Sequence, residues 1–215
     1  MKTAHDARRL AAWLDEWQLE QRLQAADSSA PAGPAARAPI RYPAPRPGAA
    51  VSAGQIRLLP PATPATAGRP VYVAVFAPAG LDRWQVVPFG RFATPGLPGE
   101  FLTRRRTPPL RVLCAWNAGV VGAGLLQASY PAGRLTAAER HAAEALLAAA
   151  GATRTLPASV ASRTGPPLVH PLDPRHRYME EERALWLEIG AVSPAASDAA
   201  PLRLAAEEPG TPYGK

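Results

Sequence analysis

The segment from Gly54 to Trp116 constrains the fold most, because its apolar residues fall in five short runs. These are Gly54 to Leu59, Val71 to Phe76, Trp84 to Val87, Glu100 to Thr103 and Leu110 to Trp116. Each is bounded by Pro, Gly or charge and is too short for a stable helix, which is the punctuation of β-strands joined by turns. In the first run, strand alternation puts Ile56 and Leu58 on one side and Gln55 and Arg57 on the other. The second run is apolar on both faces, which predicts a central strand. Glu100 to Thr103 reads as a short edge strand, and Arg104-Arg105-Arg106 as a basic turn before the last run. Strand, loop and strand at this spacing predict a small antiparallel barrel.

Helices flank the strands, so the predicted class is mainly β with flanking α-helices. Over residues 4 to 26, Leu10, Leu14, Trp17 and Gln21 share one line of a helical wheel. That face either packs on the chain's own domain or engages a partner. Residues 27 to 50 carry Pro at 31, 34, 39, 43, 45 and 47 and read as a semi-rigid linker. Thr136 and Glu139 form a capping box ahead of a helix whose apolar face is Ala142, Ala143, Leu146, Leu147 and Ala150, with Gly151 as its stop. Asp173 and Pro174 mark the start of a second helix over 174–189, with Tyr178, Leu185 and Ile189 on one face. The predicted organisation is a helix over 1–26, a linker over 27–50, a barrel with its C-terminal helix over 51–151, an extension over 152–190 and a disordered tail over 191–215. Gly119, Gly122 and Gly124 lack the Gly-Lys-Ser/Thr ending of a phosphate-binding loop and read as loop.

Charge narrows the choice of partner. The formal net charge is +7, and from Arg69 to Ala115 seven Arg stand against Asp82 and Glu100. From Trp116 onward nine basic residues meet ten acidic ones, so the excess sits on the strands. A basic domain with nearby aromatics favours a phosphate-bearing partner, although a soluble basic surface would carry the same signal. Trp84, Phe89, Phe92 and Trp116 are candidates for stacking on unpaired bases, with Trp116 more at home in a core. Cys114 is the single cysteine and sits in an apolar run, as a buried, inert thiol would. His170, Asp173 and His176 are close enough to hold a metal, but Asp173 is better used as a helix cap, and no metal or cofactor is expected. Arg8, Arg9, Asp15 and Glu16 leave no signal-peptide core at the start, and no apolar stretch reaches the ~20 residues needed to span a bilayer. A cytoplasmic protein without a membrane partner is expected.

The order of the pieces resembles the PemK/MazF-like toxins. The match rests on Gly54-Gln55-Ile56, Arg69-Pro70-Val71-Tyr72-Val73-Ala74-Val75, Val86-Val87-Pro88-Phe89-Gly90, Glu100-Phe101-Leu102, the strand Leu110 to Trp116 and the helix Thr136 to Ala150. The resemblance covers roughly residues 52 to 150. It implies an SH3-like β-barrel, commonly a homodimer, whose active members cut single-stranded RNA without a metal. In that chemistry a 2′-hydroxyl attacks the adjacent phosphate, which needs a cation and a proton shuttle.

The resemblance assigns the cation to Arg69 and puts a Ser or Thr two residues after Pro88, where this chain has Gly90. Gly90 has no side chain to bond a phosphate, so Arg91 or Thr94 in the following loop would have to substitute. Arg57, Arg91, Arg104, Arg105 and Arg106 are the candidate RNA contacts. The expected function is RNA binding with weak or no endoribonuclease activity. The alternative is a non-catalytic interaction module, in which the barrel is a scaffold and a terminal helix meets an antitoxin-like or other protein partner.

Overall fold

The computed structural model describes residues 4–29, 50–60, 69–106, 109–150 and 155–189. Most of the Pro-rich linker, Gly151, Gly190 and the tail from 191 lie outside these residues. Seven strands are present: β1 (Gln55–Leu59), β2 (Val71–Pro78), β3 (Arg83–Pro88), β4 (Glu100–Leu102), β5 (Val112–Cys114), β6 (Gly119–Gly122) and β7 (Tyr130–Arg134). The helices are α1 (Ala4–Ser29), α2 (Ala123–Gln127), α3 (Ala137–Ala150), α4 (Ala158–Ala161) and α5 (Arg175–Glu188), and one 3-10 turn spans Ala115–Asn117. Among the described residues, none of these helices is long and apolar enough to cross a membrane.

The strands form two antiparallel sheets, one in the order β6-β3-β2-β1-β7 and the other pairing β4 with β5. They do not close into a barrel. The chain crosses between them just after β3: Phe89 donates to the Tyr72 carbonyl at 2.9 Å, and Gly90 then donates to the Val112 carbonyl at 2.8 Å. The class is therefore mixed, with antiparallel sheets and more helix than the apolar runs disclosed.

The expectation for β2 holds. Val73, Ala74 and Val75 are all buried, with Val73 and Val75 facing one core and Ala74 the other. The first core places Ile56, Ala74, Val87 and Phe101 against Ala142, Leu146 and Val160 of α3 and α4. The second, on the opposite face, places Leu59, Val73, Val86 and Val121 against Leu126 of α2 and Trp186 of α5. The Gly119–Gly122 stretch is β6 rather than loop, paired with β3 from Arg83↔Gly122 to Val86↔Gly119. Gly119 is required there, because a Cβ would stand 2.2 Å from Trp186 Nε1.

Both predicted helix starts are in place. Thr136 N–H donates to Glu139 at 2.8 Å, and Glu139 N–H donates back to the Thr136 hydroxyl at 3.2 Å. Asp173 accepts from the Arg175 N–H at 3.0 Å, as an N-cap does. α1 runs to Ser29, three residues into the predicted linker. Trp13 and Trp17 are buried in a third core with Phe92, Leu97 and Tyr178, where Trp13 meets Trp17, Phe92 and Tyr178 at centroid distances of 5.2, 5.4 and 5.5 Å. The apolar face of α1 thus serves the chain's own domain.

Candidate nucleic-acid interface

The residues expected to carry the chemistry separate into two places. Arg69, at the entry to β2, and Arg91, just past β3, converge on α5. The Arg69 Nη2 donates to both Glu182 oxygens at 2.7 Å, and the Arg91 Nη2 donates to Glu181 at 2.7 Å. Arg91 also stands 3.5 Å from Glu182 and 3.1 Å from Glu20 of α1. Two guanidiniums thus face three carboxylates.

The centre of this cluster is largely withdrawn from water, with the Arg91 and Glu182 side chains 12% and 8% exposed, while Arg69, Glu20 and Glu181 around it are partly exposed. Burial pulls the Arg91 guanidinium down, but the charges of Glu182, Glu181 and Glu20 outweigh it and hold it above its ordinary value. Burial raises the Glu20 carboxyl, and Arg91 and Arg69 only partly oppose that. The cluster fastens both terminal helices to the sheet. A recess of about 260 Å³ remains beside it, lined by Arg69, Val71, Phe89, Gly90, Arg91 and Trp186 among others.

Gly90 has no room for a hydroxyl-bearing side chain. A Cβ there would stand 2.9 Å from Cys114 Sγ and 3.5 Å from the Tyr178 hydroxyl. Those groups belong to a buried knot centred on Glu100. One Glu100 oxygen accepts from Tyr178 at 2.9 Å and Trp116 Nε1 at 3.1 Å, and the other from the Gly96 and Leu97 N–H groups at 2.6 and 3.2 Å. Burial raises the Glu100 carboxyl despite these donors, and it pushes the Cys114 thiol and Tyr178 hydroxyl well up. The Thr94 hydroxyl donates to one oxygen of Glu16 of α1, whose other oxygen accepts from the Ala93 N–H.

The second place is the surface around the β4–β5 turn. Arg104 and Arg106 are exposed there. Arg105 holds Glu139 through Nε and Nη2, each at 3.1 Å, and donates to the Arg134 carbonyl. Arg134 is exposed and reaches back to the Ala53 carbonyl at 3.1 Å. Arg163 lies over the Phe101 ring at 4.5 Å, and burial together with the like charge of Arg104 holds its guanidinium below its ordinary value against the opposing charge of Glu139. Setting Arg105 against Glu139 leaves four arginines, Arg104, Arg106, Arg134 and Arg163, without a carboxylate among the ion pairs of the described residues.

Several expectations need correction. Arg57 is fully buried. It donates to the Ser129 hydroxyl at 2.6 Å and to Gln55 at 2.9 Å, because α2 and the Ser129 turn that follows it cover the face that alternation left polar. Arg91 is committed to carboxylates, and Phe89 and Phe92 are core residues rather than stacking platforms. Arg134 and Arg163 had no signal of their own in the sequence. The acidic run Glu180-Glu181-Glu182 was visible, and a basic domain beside it was a hint that those charges would pair. Among the described residues no cluster of His, Cys, Asp and Glu is arranged for a metal, and Asp173 pairs with Arg175 at 2.6 Å. Comparison with known proteins finds no matching family model, no matching curated protein and no matching solved structure.

Proposed function

We propose that this chain binds single-stranded RNA through the arginine face around the β4–β5 turn and leaves it uncut. The strands would be an SH3-like, PemK/MazF-like arrangement held open by the added helices. The reading is carried by Arg104 and Arg106, both exposed on this turn, with Arg163 close enough to Arg104 to feel its charge and no ion pair of the described residues using any of the three. A phosphate backbone is drawn to such a surface without base contacts, so sequence preference is weak and binding falls with salt. Binding without cleavage is supported by Arg69 being held on Glu182 and by Gly90 being walled in by Cys114 and Tyr178.

The test is a labelled single-stranded RNA incubated with the protein in chelator and read for both retention and cleavage. Retained, intact RNA is expected, with retention weakened by Arg104→Gln plus Arg106→Gln and unchanged by Arg69→Ala. Cleavage that disappears in Arg69→Ala would instead establish a metal-free ribonuclease. A second reading, an interaction module, rests on Leu19 and Leu23, one helical turn apart on the outside of α1 and 54% and 56% exposed. It predicts a dimer in sedimentation that Leu19→Glu plus Leu23→Glu converts to monomer, and a wild-type monomer would count against that self-association.

A further inference from the structure

We propose that the groove between α3, the 3-10 turn and α5 is a binding site for a small aromatic carboxylic acid. The groove encloses about 190 Å³, with Leu97, Trp116, Leu146, Leu156 and Met179 as apolar walls and Arg183 at its edge. It is distinct from both arginine sites described above.

Its walls are preformed. Trp116 is anchored by its Nε1 donating to the buried Glu100 and by Tyr178 at a centroid distance of 6.0 Å. Gly99 lies directly under Trp116, where a Cβ would be 2.6 Å from the Trp116 Cβ, so nothing larger fits the floor. Leu146 is buried in the first core and does not move without disturbing it.

Size and charge select the occupant. An apolar cavity of about 150 Å³ accepts one benzene ring, so 190 Å³ holds one ring and a short link. The site is smaller than the roughly 300 Å³ at which drug-sized ligands begin. Arg183 is exposed and lies over the Trp116 ring at 5.8 Å. None of the ion pairs among the described residues uses it. A guanidinium held by a ring at the mouth of an apolar slot matches a carboxylate whose body fills the slot.

The experiment is calorimetric titration of the full chain with 3-phenylpropionate and, separately, its neutral counterpart 3-phenylpropanol. Saturable binding of the acid is expected, tighter than the alcohol by tenfold or more. Arg183→Gln, a change at an exposed position, should remove that preference while leaving the alcohol within twofold. Ala149→Leu narrows the slot and should abolish binding of both. No saturable binding of the acid, equal affinity for acid and alcohol, or an acid affinity unmoved by Arg183→Gln would each overturn the proposal.

Discussion

Replacing Arg104 and Arg106 by Gln should halve the salt dependence of RNA binding without unfolding the protein. Both side chains are exposed, and neither takes part in an ion pair among the described residues. With Arg105 set against Glu139, Arg104, Arg106, Arg134 and Arg163 are the four arginines around this turn that no ion pair of the described residues uses, Glu139 also acting on Arg163 at longer range. If each meets one phosphate, the slope of log affinity against log salt is about −2.8 for a single strand. Affinity should then fall about 50-fold between 50 and 200 mM salt. The double substitution leaves two charges, a slope of about −1.4 and a fall of about sevenfold over the same range. Fluorescence anisotropy with a short labelled oligonucleotide at several salt concentrations measures both slopes. Thermal unfolding of the variant, expected to match wild type within about 0.5 kcal/mol, separates loss of contact from loss of fold. Equal slopes for the two proteins would refute the assignment of this face.

Three further outcomes follow from the packing. Gly90→Ser should fail to create ribonuclease activity and should cost about 1–3 kcal/mol in urea unfolding, because its Cβ meets Cys114 Sγ at 2.9 Å; adding Cys114→Ala should recover part of that loss. Trp13→Ala should cost about 3–5 kcal/mol, since the ring is fully buried among Trp17, Phe92 and Tyr178, and a cost near zero would mean that α1 is a detachable arm. Glu181→Gln should destabilise at neutral pH: burial raises this carboxyl, but the Arg91 and Arg177 hydrogen bonds outweigh that and hold it below its ordinary value. A depressed carboxyl contributes stability that is present above its unfolded value and lost as pH falls through its folded value, so the variant and wild-type denaturation midpoints should converge in acid; a constant gap would count against the pairing.

The strands and caps were legible because their determinants are local. Apolar runs cut by Pro and Gly marked β1 to β5, although Val112–Cys114 proved a shorter strand than the run that contains it. Thr136 with Glu139, and Asp173 with Pro174, marked two helix starts through hydrogen bonds spanning three residues or fewer. The double-sided burial of Val73, Ala74 and Val75 could be read from composition alone, since a strand apolar on both faces has to lie between two layers.

What only the tertiary structure decided is which charges are free. Arg57, Arg69, Arg91 and Arg104 look alike in the sequence. Yet one is buried on Ser129, two are held by Glu20, Glu181 and Glu182 from helices distant in the chain, and the last faces solvent. Likewise β6 and β7 carry weak strand signals and exist because β3 and β1 offered edges to pair with. Local propensity and alternation are properties of neighbouring residues and can be read along the chain. Charge pairing and edge coverage depend on which distant segments the core brings together, and they decided that Arg69 is held on Glu182 while Arg104 and Arg106 stay exposed.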